Sequence, residues 1–81
     1  MINPDQWIEK DKKLERSFLF EDFVQAFEFL NGVAVLAEEQ GHHPEIYNVY
    51  NRVTLKLCTH DQGNQITEKD ISLAEAINRL L

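Results

Sequence analysis

The sequence predicts an α+β fold: a four-stranded antiparallel sheet in ββαββα order, with two helices packed on one face. Three observations carry this expectation. Apolar residues recur at helical spacing over residues 21–40, with Gly41 directly beyond. Alternating stretches flank that segment on both sides. Near the C-terminus, Thr67-Glu-Lys-Asp70 has the Ser/Thr-x-x-acid form of a helix capping box, with Ile71, Ala74, Ile77 and Leu81 spaced helically after it.

Taken in order, residues 7–20 open with Trp7-Ile-Glu-Lys and pass through a charged cluster at 10–13. They then alternate through Leu14, Arg16, Phe18 and Phe20, which reads as a short strand, a turn and a longer strand. In the main helix Phe23, Phe27, Leu30, Ala34 and Ala37 form a stripe, and Ala26, Phe29, Val33 and Leu36 widen it to about half the circumference. Two explanations stand. Either one side packs on the sheet and the adjacent side on another subunit's helix, or the helix is a wide core helix. Gly41 is the C-cap candidate.

Residues 47–60 read as a hairpin. Tyr47, Val49, Val53, Leu55 and Leu57 share one parity, and Thr54, Lys56, Cys58 and His60 the other. Keeping Val49 and Val53 on one face demands a three-residue loop at 50–52. A polar connection at 61–65 leads to the last helix, which begins near Thr67.

At 81 residues the chain makes one domain spanning 1–81, because a chain this short cannot divide its limited buried surface between two cores. Hydrophobic residues at 43% and charged residues at 27% exclude a disordered or low-complexity chain. Eight Lys and Arg against 14 Asp and Glu give a net charge of −6, which argues against direct nucleic-acid binding. The sequence shows neither a bilayer-length apolar run nor a signal-peptide layout, so no membrane role and a cytoplasmic location are expected. The single cysteine, Cys58, suits a reducing compartment and excludes an internal disulfide. A core this small is marginal alone, so a homo-oligomer is expected.

The candidate chemistry lies in the histidines. His42 and His43 follow the main helix directly, and Pro44 biases His43 toward an extended conformation, so the pair sits in a connection. With His60 they offer proton donors and acceptors at neutral pH without a cofactor, which points to general acid–base catalysis. Other readings compete. An exposed His-His pair at a helix end is structurally ordinary. A metal site of His42, His43 and His60 is disfavoured because adjacent extended residues point to opposite sides. Cys58 and His60 share a strand face, which invites a thiol-nucleophile reading, but a free cysteine is more often a small buried hydrophobe. Asp70 serves as a cap on structural grounds alone, and Glu38 reads equally as a solvated helix residue.

The constellation Glu38, His42-His43-Pro44, Tyr50, His60 and Asp70 resembles the signature of the pterin-4a-carbinolamine dehydratases. Trp7, Phe20-Glu-Asp-Phe23, Ala26-Phe27, Tyr47-Asn-Val-Tyr-Asn51 and Thr67-Glu-Lys-Asp-Ile71 agree with it, so the resemblance runs from residue 7 to 81. It implies dehydration of 4a-hydroxytetrahydropterin, left by an aromatic amino-acid hydroxylase, to quinonoid dihydropterin and water in tetrahydrobiopterin recycling. On that resemblance His43 is the first candidate for proton transfer, His60 the second acid or base, and His42 binds and polarises the hydroxyl. Glu38 and Asp70 orient imidazoles or pterin, and Pro44 belongs to the same binding motif. The backbone at Cys58 and Thr59 bonds the pterin edge, and Tyr47 and Tyr50 form an aromatic wall. No metal and no cofactor are implied.

The family's extra N-terminal helix is expected to be lacking, since six residues precede Trp7. Family dimers join sheet edges and pair into tetramers through the main helix, so a homodimer or homotetramer through the 21–40 helix and the sheet edge is expected. Some animal members also bind a homeodomain transcription factor, a role the motif does not test. The rival expectation is a catalytically idle binding module acting through the 21–40 helix.

Overall fold

The computed structural model describes residues 7–60 and 63–81. The expectation about the segment before Trp7, and Asp61 and Gln62 of the polar connection, lie outside the described residues. The elements are β1 (Ile8–Lys10), β2 (Lys13–Leu19), α1 (Phe23–Gln40), β3 (Glu45–Val49), β4 (Arg52–Leu57) and α2 (Glu68–Asn78). They form one antiparallel sheet in the order β1-β2-β4-β3, the expected ββαββα α+β architecture.

Both helices cover the same sheet face. Leu14, Phe18, Val53, Leu55 and Leu57 point inward from the two central strands. They meet Ala26, Phe29, Leu30 and Val33 of α1 and Leu73, Ala74 and Ile77 of α2. Burying several aliphatic and aromatic side chains, each contributing about 1.5–3 kcal/mol, is the main force holding the layers together. Trp7 seals one end: its ring lies edge-on to Phe18, and its indole N–H donates to Asn78 Oδ1 at 2.7 Å. Arg16 donates to the same oxygen at 2.7 Å, so the end of α2 is tied to both β2 and the chain before β1.

The helix termini are set by local chemistry. Asp22 caps α1 by accepting from the Gln25 N–H at 2.9 Å. At the other end Gly41 takes the left-handed conformation, φ 62°, and the Gly41 and His42 N–H groups donate back to Glu38 and Ala37. That paired pattern is a Schellman motif, and it fixes the direction in which the chain leaves with His42. In α2 the capping box is complete, with Thr67 and Asp70 each bonding the other's backbone turn.

The hairpin between β3 and β4 differs from expectation. Val49 pairs with Arg52, so the connection is the two residues Tyr50 and Asn51, not a three-residue loop at 50–52. Tyr47 and Val49 therefore lie on the outer face, 52% and 66% exposed, while Val53, Leu55 and Leu57 are inward and fully buried. The two-residue turn is possible because Tyr50 accepts a left-handed φ of 50°. Asn51 is latched to β2: its carbonyl accepts from Phe20 N–H at 2.8 Å and its Nδ2 donates to Phe20 O at 3.0 Å. The β1–β2 turn has positive φ at both Asp11 and Lys12, the type I′ geometry that matches strand twist.

Along α1, Ala26, Phe29, Leu30, Val33 and Ala37 are buried, whereas Phe23 and Phe27 of the stripe, with Val24 and Val35 outside it, are 45–64% exposed. The helix thus carries a second apolar face that its own sheet does not cover. No helix among the described residues is long and apolar enough to cross a membrane.

Candidate active site

The Schellman end of α1, the end of β4 and the start of α2 converge, and each brings a histidine or its partner. His42, just past Gly41, reaches across to α2, where its Nε2 lies 2.5 Å from Asp70 Oδ1. Asp70 is completely buried, and the His42 side chain is 12% exposed. The second Asp70 oxygen accepts from the Thr67 N–H at 2.9 Å and the Thr59 hydroxyl at 2.8 Å. Because the Thr59 hydroxyl spends its one proton on Asp70, the direction of each bond along this network is determined. Lys69 N–H donates to Thr67 Oγ1, the Thr67 hydroxyl donates to Thr59 Oγ1 at 2.6 Å, and Thr59 donates to Asp70. No buried side-chain nitrogen or oxygen among the described residues lacks a partner, so Asp70 is buried with both carboxyl oxygens hydrogen-bonded.

With Asp70 accepting, the proton of this bond sits on His42 Nε2, so the neutral ring has its lone pair on Nδ1. His43 repeats the arrangement in a wetter setting. Its Nε2 lies 2.6 Å from Glu38 Oε2, with side chains 64% and 78% exposed, so in the neutral ring Nδ1 is again the lone-pair nitrogen. Glu38 is five residues upstream in the last turn of α1, so a single helix end delivers both members of that pair. His60 Nδ1 sits 2.9 Å from Asn64 Oδ1, an acceptor, which leaves Nε2 as the lone-pair atom of the neutral ring. Three imidazoles are each held by one nitrogen with the other available for proton transfer.

His42, His43 and His60 line one cavity of about 290 Å³ with Gly41 and Lys69. A neighbouring cavity of about 450 Å³ shares His42 and Lys69 and is lined further by Gln40, Glu68 and Ser72. The three histidines singled out from the sequence are therefore brought together, with Glu38 and Asp70 behind two of them. Thr59 and Cys58 are buried at the end of β4, and Pro44 is half-buried between His43 and β3. Tyr47 and Tyr50 are not at this cavity. Tyr47 lines a separate hollow on the outer sheet face with Leu19, Val49, Arg52 and Thr54, and Tyr50 occupies the hairpin tip, about 16 Å along the strand from Glu45. Asn64 and Lys69 were not foreseen. Asn64 has a left-handed φ of 56° in a polar turn, and only the turn composition hinted at it.

A family model for pterin 4 alpha carbinolamine dehydratase matches residues 2–80. The chain belongs to the pterin-4a-carbinolamine dehydratase family. A provisionally named pterin-4-alpha-carbinolamine dehydratase from Prochlorococcus marinus strain NATL2A is 48% identical over 79 residues, covering 98% of this chain and 81% of its own. Among solved structures, a transcriptional coactivator/pterin dehydratase from Brucella melitensis superposes with a TM-score of 0.88 at 44% identity, over 94% of this chain and 82% of that one. A pterin dehydratase-like protein identified as a RuBisCO assembly factor in the alpha-carboxysome superposes with a TM-score of 0.78 at 29% identity, over 93% and 88%.

In this pterin-4a-carbinolamine dehydratase family member the floor beside His60 is charged. Lys13 Nζ donates to Glu45 Oε2 at 2.5 Å, and the Tyr47 hydroxyl donates to Glu45 Oε1 at 3.2 Å, which together hold the Glu45 carboxyl below its ordinary range. Cys58 Sγ lies 3.8 Å from both His60 ring nitrogens. Burial is the main cause that pushes the Cys58 thiol above its ordinary 9.0; the nearby Lys13 charge opposes this, and Asp70 and Glu45 add to it. The folded chain therefore holds the thiol proton more tightly than the unfolded one. Its contribution to stability is complete below pH 9.0 and is lost as the pH rises through the folded value. At pH 7 iodoacetamide is expected to modify Cys58 slowly in the native protein and rapidly in urea. Equal rates in the two states, read by mass spectrometry, would contradict a protonated, shielded thiol.

Proposed function

We propose that this chain is a cytoplasmic dehydratase of tetrahydrobiopterin recycling that converts 4a-hydroxytetrahydropterin to quinonoid dihydropterin and water by histidine acid–base catalysis. The observation that carries this reading is the set of three imidazoles around one cavity, two of them braced by carboxylates. In the reaction the C4a–O bond breaks, the departing hydroxide takes a proton to leave as water, N5 loses its proton, and the N5 electron pair forms the C4a=N5 bond. Both proton movements suit imidazoles with one fixed and one available nitrogen. His43, the most exposed of the carboxylate-braced pair, transfers the proton; His60 acts as the second acid or base. His42, held against Asp70, binds and polarises the hydroxyl. Backbone groups at Cys58 bond the pterin edge, whereas the Thr59 N–H and carbonyl are both taken by Gln65, so Thr59 serves through its bond to Asp70. The test is stopped-flow absorbance of 4a-hydroxytetrahydropterin, generated in place, with and without catalytic amounts of protein. Acceleration is the expected result, and folded protein that leaves the spontaneous rate unchanged would reject the reaction.

Association is part of the same reading. Phe23, Val24, Phe27 and Val35 give α1 an uncovered apolar face, and β3 is an edge strand carrying exposed Ile46, Tyr47 and Val49. Two faces of this kind on one small domain favour a homodimer or homotetramer, formed through α1 and the sheet edge. Light scattering is expected to give at least twice the 9.5 kDa chain mass at micromolar concentration, and a monomer mass would reject it. The same α1 face favours a second reading, a partner-binding module without catalysis, for which an inactive but well-folded oligomer would be the sign.

A further inference from the structure

Beside the histidine cavity, and sharing only His60 with the acid–base roles just given, Glu45, Cys58 and His60 each present one ligand atom, all within 4.8 Å of one another. They come from the start of β3, the end of β4 and the turn beyond it, so the sheet register brings them together. A tetrahedral Zn²⁺ with ordinary Zn–S and Zn–N bonds separates its sulfur and nitrogen ligands by about 3.5 Å. Cys58 Sγ and the His60 ring nitrogens are already 3.8 Å apart. His60 is also prepared for ligation. Asn64 Oδ1 accepts from Nδ1, which leaves the Nε2 lone pair as the donor, the outer-shell arrangement typical of metal-bound histidine.

We infer that Glu45, Cys58 and His60 form a three-ligand site for a thiophilic divalent cation of the zinc class. The fourth position stays open to solvent, as in zinc sites with three protein ligands. Binding replaces the Cys58 thiol proton, released to solvent, by the cation, and displaces the Lys13 ammonium from Glu45 Oε2. Lys13 is thus an internal competitor for the carboxylate. The mixed sulfur, nitrogen and oxygen donor set selects zinc or cobalt over magnesium or calcium, which take oxygen ligands.

The test is a Co²⁺ titration of the whole chain followed by absorbance, with Zn²⁺ affinity measured against a chromophoric chelator. Wild type is expected to bind one equivalent and show a thiolate-to-cobalt charge-transfer band. Cys58→Ser removes the band, Glu45→Gln weakens binding about tenfold or more, and Asn64→Ala weakens it about 10- to 100-fold. Lys13→Met strengthens binding, a result that non-specific histidine binding would not give. Absence of the band at saturating Co²⁺ overturns the site. So does Zn²⁺ affinity unchanged in both Glu45→Gln and Lys13→Met, or binding abolished by His43→Gln instead. If circular dichroism finds Cys58→Ser unfolded, the half-exposed Glu45 and Lys13 variants decide alone. A bound cation takes the His60 Nε2 lone pair, so on the proposed reaction, and resting on it, Zn²⁺ inhibits dehydration. Protein that shows the cobalt band but no dehydration keeps the cation site and removes only the reaction.

Discussion

Replacing His43 by alanine is expected to slow 4a-hydroxytetrahydropterin dehydration about 10²- to 10⁴-fold, the range for losing a positioned general acid or base. Stability should stay within about 0.5 kcal/mol of wild type, as for surface substitutions away from packed features. The split follows from where the ring is. His43 is 64% exposed, its partner Glu38 is 78% exposed, and the chain before and after it is positioned by the Gly41 motif and Pro44, not by the imidazole. Little packing is lost with the ring, whereas the cavity loses the one nitrogen that Glu38 leaves free. Stopped-flow traces beside urea unfolding curves measure both quantities on the same preparation. A His43→Ala protein with near wild-type acceleration would move proton transfer to His60 or His42.

Asp70→Ala is expected to behave in the opposite way, costing about 3–5 kcal/mol because it breaks a buried, charge-assisted network. Asp70 is fully buried and accepts from His42, Thr59 and the Thr67 backbone, so alanine orphans all three donors and removes half of the α2 capping box. For an 81-residue chain with about 4–12 kcal/mol in total, that loss leaves a protein near its unfolding threshold. Asp70→Asn keeps the shape and one acceptor but turns a donor toward either His42 or the threonines, so it should lose less stability while releasing the His42 tautomer. Urea midpoints checked against far-UV circular dichroism decide the matter. An Asp70→Ala midpoint equal to wild type would mean that the network is not what holds α2 to the end of α1.

What could be read along the chain was whatever local chemistry decides. Asp22, Gly41, Thr67 and Asp70 cap helices through contacts within five residues, and the two helices were legible for that reason. The β3–β4 register was not. It depends on Tyr50 taking a left-handed φ that local rules reserve mostly for Gly, Asn and Asp, and on Asn51 bonding to Phe20 far upstream. The histidine cluster could be suspected from the adjacency of His42 and His43. Pairing of His42 with Asp70, 28 residues on, is a tertiary fact that periodicity does not carry. Glu45 beside Cys58 and His60 needed the same hairpin register that the alternation pattern misjudged.

The sheet order has a kinetic consequence. β1 with β2, and β3 with β4, are hairpins joined by two residues, but the central ladder joins β2 to β4 across residues 20–51. Closing a flexible loop of that length costs about 3 kcal/mol in chain entropy before any ladder bond or core contact repays it. The two hairpins can form early and separately. The histidine cavity, assembled from the end of α1, the end of β4 and the start of α2, can exist only after that long-range closure. A refolding chain therefore gains its hairpins before it gains its chemistry.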